Sequence, residues 1–351
     1  MTAPADDVRT SSKHGLGRVV LDREEAINAL SEGMIVRVRE ALEAWRRDPD
    51  VELVLLTGEG QRGLSAGGDV RALHRLITSG DTASVGRYFR EEYAMNALIG
   101  EYQKPIISVM HGVTMGGGIG IAAHAGTRIV TETSRLAMPE TRIGFTPDVG
   151  GSWLLARTPG RLGEYFALTS DIMGAHDAIY CGLADYLVPS ANVPDVVHAF
   201  ETRADPQTPA ELVLLFDETP YPSRLAEDRA WIDDAFAAPT VEAIIGRLRA
   251  IGGPGPEAAV EALQARAPLA LKVTLEAIRR AREQPTLRAA LEQEYGLVMW
   301  FVETQPDMVE GIRAQLIDKD LSPVWSPKSL AAVPQALVAE AFAHRPEPAL
   351  W

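Results

Sequence analysis

The sequence predicts an α/β fold, and three observations carry that expectation. Short, branched apolar runs closed by glycine alternate with amphipathic segments through the first 205 residues. Two glycine-rich stretches each follow such a run and lead into a helical pattern. Beyond residue 205 only helical patterns stand out, among them VEAIIGRLRAI and PLALKVTLEAIRRARE.

The elements follow in order. LGRVVLD, Leu16–Asp22, reads as a strand. Ser31 is a good N-cap for a helix whose Met34, Val38, Ala41, Leu42 and Trp45 share one face, and Asp48-Pro49 ends it. VELVLLTG, Val51–Gly58, is a buried strand, followed by a glycine-rich loop and a short helix from about Asp69. The segment Ala83–Gly100 is helical, PIISVMHG is the next strand, and TMGGGIGIAAHAG is a glycine loop entering a buried helix. TRIVTE, RLAMPE and ADYLVP read as further strands, with helices over GGSWLLART and after Gly160.

Composition sets bounds. The 351 residues are 46% hydrophobic and 23% charged, as in an ordinary soluble protein of one large or two smaller domains. A net charge of −14 offers no basic footprint for nucleic acid. No run of 18 apolar residues appears, so no membrane span is expected. The single cysteine, Cys181, leaves no internal disulfide and no cysteine metal cluster. His111, His124 and His176 lack metal-ligand spacing and read as structural. The N-terminal MTAPADDVRTSSKHG is polar and acid-bearing, unlike a signal or transit peptide. The expectation is a cytoplasmic protein with a flexible tail over residues 1–12, a core over 13–205 and a helical region over 206–351.

The glycine loops admit three readings. Gly63-x-Ser65-x-Gly67 fits a serine nucleophile elbow, but an elbow turns straight from strand to helix, and here Gly58 to Arg62 intervene. Gly118-x-Gly120-x-x-Ala123, with Glu132 as ribose acid, fits a dinucleotide fingerprint, but its spacing is off-register. In the third reading both loops work together. Glycine lets a ligand approach the backbone, and one free N–H from each loop makes an oxyanion hole.

SAGGD, HGVTMGGGIG and MPETRIGFTPDVGG, in that order, resemble the crotonase (enoyl-CoA hydratase/isomerase) superfamily, and INAL at Ile27–Leu30 is similar to its early motif. FREEY, PDVGG and IDKDLSPVW resemble its branch that hydrolyses 3-hydroxyisobutyryl-CoA in valine breakdown. The resemblance implies a crotonase-type spiral core of ββα units with a helical C-terminal region. It implies oxyanion donors at Gly68 and Gly117, with Ser65 a bystander. A hydratase has one glutamate at the position of Gly120 and a second at Glu140; this sequence keeps only the second. It adds Asp148 eight residues on, the arrangement of the hydrolase branch. Glu140 then activates water or attacks the thioester itself. Asp148 binds the substrate's 3-hydroxyl, and Glu92 lies in the substrate pocket. The implied ligand is an acyl-CoA, with CoA arriving as part of the substrate. No cofactor, metal, nucleic acid or membrane is implied, and a homo-oligomer stays open. The residues alone also allow plainer roles: Glu91 and Glu92 a solvated face, Glu140 an exposed turn carboxylate, Asp148 an N-cap for GGSWLLART. Beyond a hydrolase, three rivals stand: a hydratase or isomerase, a nicotinamide-dependent dehydrogenase, and an inactive crotonase-like binding protein.

Overall fold

The computed structural model describes residues 7–202 and 208–351. They divide into two compact units that interleave along the chain. One holds the described residues up to Gly68, Glu91–Leu136 and Ile172–Ser223; the other holds Asp69–Arg90, Ala137–Asp171 and Arg224–Trp351. The expected division at 205 falls within 203–207, outside the described residues. The described C-terminal helices beyond Ser223 share a unit with residues 69–90 and 137–171.

The first unit is built on a six-stranded sheet. Its strands are β1 (Val8–Lys13), β2 (Gly15–Leu21), β3 (Val51–Gly58), β4 (Ile106–Met110), β6 (Thr127–Val130) and β8 (Tyr186–Leu187), in the order β1-β2-β3-β4-β6-β8. Strands β5 (Val113–Met115) and β7 (Arg135–Ala137) form a separate pair. β1 runs antiparallel to β2, and every other pairing in the large sheet is parallel. The tail expected over residues 1–12 is therefore corrected in part: residues 1–6 lie outside the described residues, but Val8 onward is an edge strand. Only Val8 of that strand is buried, so its backbone pairing holds it rather than a hydrophobic face.

Side chains alternate across a strand, and Leu53 and Leu55 of β3, Ile107 and Val109 of β4 and Ile129 of β6 fall in one buried cluster. Val196, Phe200 and Val213, on the helices Val193–Thr202 and Pro209–Leu214, join it. Helix α1 (Glu32–Arg47) starts where the sequence placed it, with Ser31 Oγ accepting the Met34 N–H at 3.3 Å. Its Met34, Ile35, Val38, Leu42 and Trp45 are buried.

The second unit is almost wholly helical. Its helices include α2 (Val70–Thr78), the first turns of α3 (Thr82–Gly100), and Pro268–Ala281 and Leu287–Thr304. No strand lies beyond β8 among the described residues, as the amphipathic patterns predicted. Among the described residues no helix is long and apolar enough to cross a membrane.

Candidate active site

Strands β3 and β4 are parallel, with Leu56 opposite Ser108, so both glycine loops leave the same end of the sheet. Ligands of open α/β sheets bind at that carboxyl end. Isolated bridges join Gly63 to Gly112 and Ser65 to Thr114, so the first loop runs along β5. Asn28 of the INAL motif is fully buried and fastens the first loop from behind. Its Nδ2 donates to the Glu59 and Gly63 carbonyls at 3.0 and 3.2 Å, and its Oδ1 accepts the Arg23 N–H at 2.8 Å.

The two loops meet at their glycines. Gly67 holds φ +103°, a conformation that side-chain-bearing residues rarely adopt. A Cβ on Gly117 would lie 3.1 Å from the Gly68 nitrogen and 2.6 Å from Glu92 Oε1. Gly117 therefore packs closely against the Gly68 amide and the Glu92 carboxylate, with no room for a side chain. Gly117 is the first residue of helix α4 (Gly117–Ala122), where a backbone N–H has no acceptor within the helix. The Gly68 N–H donates to no backbone carbonyl among the described residues. Gly68, Gly117 and Glu92 are thus brought together within the first unit. Glu92 is 2% exposed, which corrects the plain alternative of a solvated face.

Ser65 is not placed as a nucleophile. It is fully buried; its Oγ donates to the Asn28 carbonyl at 2.9 Å and accepts the Gly67 N–H at 3.1 Å. It braces the loop that carries Gly68. The dinucleotide reading also fails. Gly118 and Gly120 lie buried inside α4, and the Glu132 carboxylate accepts the Ser190 N–H at 2.8 Å and the Ser190 hydroxyl, capping a local turn.

The second unit carries the other two carboxylates on one closed loop. Glu140 opens a short 3-10 turn, Glu140–Ile143, after Pro139, and is 5% exposed, so it is not the exposed turn carboxylate of the plain alternative. Asp148 is 7% exposed. Gly151 lies against the Met138 methyl group, so the ends of the segment bearing both carboxylates touch. Helix α5 (Gly151–Ala156) follows, and Asp148 does not cap it: the N-cap is Gly150, which has no side chain to give. That role falls to Glu294 on the helix Leu287–Thr304. Its Oε2 accepts the Gly150 N–H at 2.6 Å, and its Oε1 accepts the Ser152 N–H at 2.9 Å and the Ser152 hydroxyl. Burial pushes the Glu294 carboxyl up to about 8; the charge on Asp148 adds to this, while the three donors oppose it.

The sequence reading missed Glu294, though a signal was there. Ala290, Leu291, Val298 and Phe301 form a buried helical stripe, and Glu294 occupies a position within it. Other residues are spoken for. Lys272 pairs with Glu242 at 2.8 Å. Cys181 is buried, with its thiol pushed up to about 12 by burial. No group of three His, Cys, Asp or Glu side chains among the described residues is arranged to hold a metal ion.

The enoyl-CoA hydratase/isomerase family model matches residues 16–342. The chain belongs to that family. Its α/β architecture is the crotonase fold: a solved structure from Mycobacterium thermoresistibile, described as a carnitinyl-CoA dehydratase, superposes with a TM-score of 0.94 at 42% identity, over 99% of each chain. One from Rhodobacter sphaeroides, described as an enoyl-CoA hydratase, gives 0.92 at 42% identity, over 99% of this chain and 100% of that one. Among curated proteins, the mitochondrial 3-hydroxyisobutyryl-CoA hydrolase of Gallus gallus is 34% identical, over 97% of this chain and 90% of its own. 3-Hydroxyisobutyryl-CoA hydrolase 1 of Arabidopsis thaliana is 36% identical, over 97% of this chain and 92% of its own. The crotonase family's members bearing hydrolase and hydratase names are both close to this chain, and its own residues must discriminate between them. The expected cytoplasmic location rests on the sequence reading alone, and the Gallus relative is named mitochondrial.

Proposed function

We propose that this enzyme hydrolyses a short 3-hydroxyacyl-CoA thioester, 3-hydroxyisobutyryl-CoA foremost, to the free hydroxy acid and CoA, a step of valine breakdown. The observation that carries this reading is the pairing of a buried Glu140 with a glycine, Gly120, where a hydratase has its other glutamate. Adding water across a double bond in the two-glutamate way needs both carboxylates. Thioester hydrolysis needs one, with an oxyanion hole. The names of the curated relatives support the same substrate.

In this reading the N–H groups of Gly68 and Gly117 take the thioester oxygen as it gains charge. Glu140 has two routes. As general base it takes a proton from water, whose oxygen bonds to the carbonyl carbon while the C–S bond breaks and CoA leaves as thiolate. As nucleophile it bonds to that carbon, expels the thiolate and leaves a mixed anhydride that water then cleaves. Asp148 hydrogen-bonds the 3-hydroxyl, and Glu92 lines the substrate pocket beside Gly117. A site built to pair a hydroxyl rejects an analogue that lacks it.

The rival is hydration of a short enoyl-CoA, favoured by the descriptions of the two solved relatives at 42% identity. Thiol release from 3-hydroxyisobutyryl-CoA separates the two. Wild type is expected to release thiol and Glu140→Gln to lose this by about 10³-fold or more. Wild type that releases no thiol but hydrates crotonyl-CoA sinks the hydrolase reading.

A further inference from the structure

We propose that Glu294 is a positioning residue: it holds the turn Asp148-Val149-Gly150 so that Asp148 can read the substrate's 3-hydroxyl. The inference rests on the hydrolase reading for the role of Asp148, and on separate geometry for the role of Glu294.

The turn has an unusual backbone. Val149 has φ +53° and Gly150 has φ +79°, two successive left-handed residues. A β-branched residue at positive φ is an outlier, which persists only where its surroundings over-determine it. One carboxylate supplies three of the bonds that do so. Glu294 takes three donors from either side of Gly151: the Gly150 N–H, the Ser152 N–H and the Ser152 hydroxyl. Gly151 N–H returns to the Asp148 carbonyl at 2.6 Å, so fixing Gly150 and Ser152 fixes the residue that bears the Asp148 side chain. Glu294 itself is fully buried on an 18-residue helix, a stiff mount. Buried hydrogen bonds of this kind orient the residues they touch, as outer-shell groups orient metal ligands. A glutamine cannot substitute, because it has one acceptor oxygen and would face one of the two N–H groups with its own NH₂.

The test compares kcat/KM for 3-hydroxyisobutyryl-CoA with that for isobutyryl-CoA, which lacks only the hydroxyl, in wild type, Asp148→Asn, Glu294→Gln and Ser152→Ala. Deuterium exchange over residues 146–156 is followed in the same proteins. Glu294→Gln is expected to lower the ratio about tenfold, through the hydroxylated substrate alone, and to speed exchange in that segment. Ser152→Ala removes one donor of three and is expected to move both readouts the same way by about two- to threefold. Asp148→Asn checks the reading beneath: an unchanged ratio there sinks the hydroxyl contact. A lowered ratio in Asp148→Asn beside an unchanged one in Glu294→Gln overturns only the role of Glu294. If Glu294→Gln does not fold, Ser152→Ala decides, and wild-type exchange and ratio in that variant overturn the proposal.

Discussion

The Ser65 hydroxyl accepts the Gly67 N–H at 3.1 Å and donates to the Asn28 carbonyl at 2.9 Å. Both capacities of the oxygen are thus spent on the backbone that presents Gly68. A serine so placed shapes the loop that carries Gly68, and its hydroxyl proton is already given to a carbonyl. Ser65→Ala is expected to turn over with kcat lowered no more than about tenfold, and to lose roughly 1–3 kcal/mol of stability from the buried Gly67 N–H left without a partner. Thiol-release kinetics and a urea titration measure the two. A loss as deep as that of Glu140→Gln restores Ser65 as nucleophile.

Gly117 makes a sharper test of the proposed oxyanion site. A Cβ there would stand 2.6 Å from Glu92 Oε1 and 3.1 Å from the Gly68 nitrogen. The added methyl group would occupy the space where the thioester oxygen is proposed to sit. Gly117→Ala is expected to cost about 10²-fold or more in kcat, on the scale of losing an oxyanion donor. Far-UV circular dichroism should stay unchanged. Near-wild-type turnover in a folded Gly117→Ala protein would remove Gly117 from the mechanism.

Much of this was legible in the sequence where the signal is local. The β3 bounds Val51–Gly58 and the Ser31 cap follow from branched apolar residues, glycine and a hydroxyl at the right place. The carboxylates Glu92, Glu140 and Asp148 stood out once the motifs were lined up, and all three are buried. What was not legible depends on distant chain. β1 is VRTSSK, polar at nearly every position, and its order comes from backbone bonds to β2 rather than from any apolar pattern. The partners of Glu294 lie 142 and 144 residues away along the chain, beyond any periodicity. Asp148 looked like the cap of α5 because Asp is favoured there; the cap arrives instead from another helix.

The charge on Glu294 gives a pH dependence of definite sign. Its carboxyl moves from an ordinary 4.5 to about 8 in the fold, chiefly through burial and then through Asp148. Between those values the folded chain holds a proton that the unfolded chain has released, so stability falls as pH rises. The contribution is full below about 4.5 and is lost as pH passes about 8. At roughly 1.4 kcal/mol per pKa unit it amounts to a few kcal/mol at most. Urea unfolding of wild type and Glu294→Gln from pH 5.5 to 8.5 is expected to show wild type losing ground to the variant as pH climbs. Parallel curves across that range would mean that Glu294 does not titrate there.

Glu164 and Arg282 set the last expectation, at the far end of the helix that begins beside Asp148. Glu164 is fully buried and receives Arg282 Nη2 at 2.5 Å and Arg161 Nη1 at 2.8 Å. Arg282 also donates to the Ala156 and Gly160 carbonyls at 2.9 and 3.0 Å, closing the C-terminal end of α5. Removing the arginine strands part of a buried charge and two carbonyls, and the remaining Arg161 offsets only some of that. Arg282→Met is expected to cost about 3 kcal/mol. Glu164→Gln on its own should cost less, because a neutral amide at that site needs less compensation. The double variant should recover part of the Arg282→Met loss, since the uncompensated charge is then gone, and a double-mutant cycle by urea titration measures this. Additive losses would show that the two side chains are not coupled, and that the arginine acts only through the carbonyls it caps.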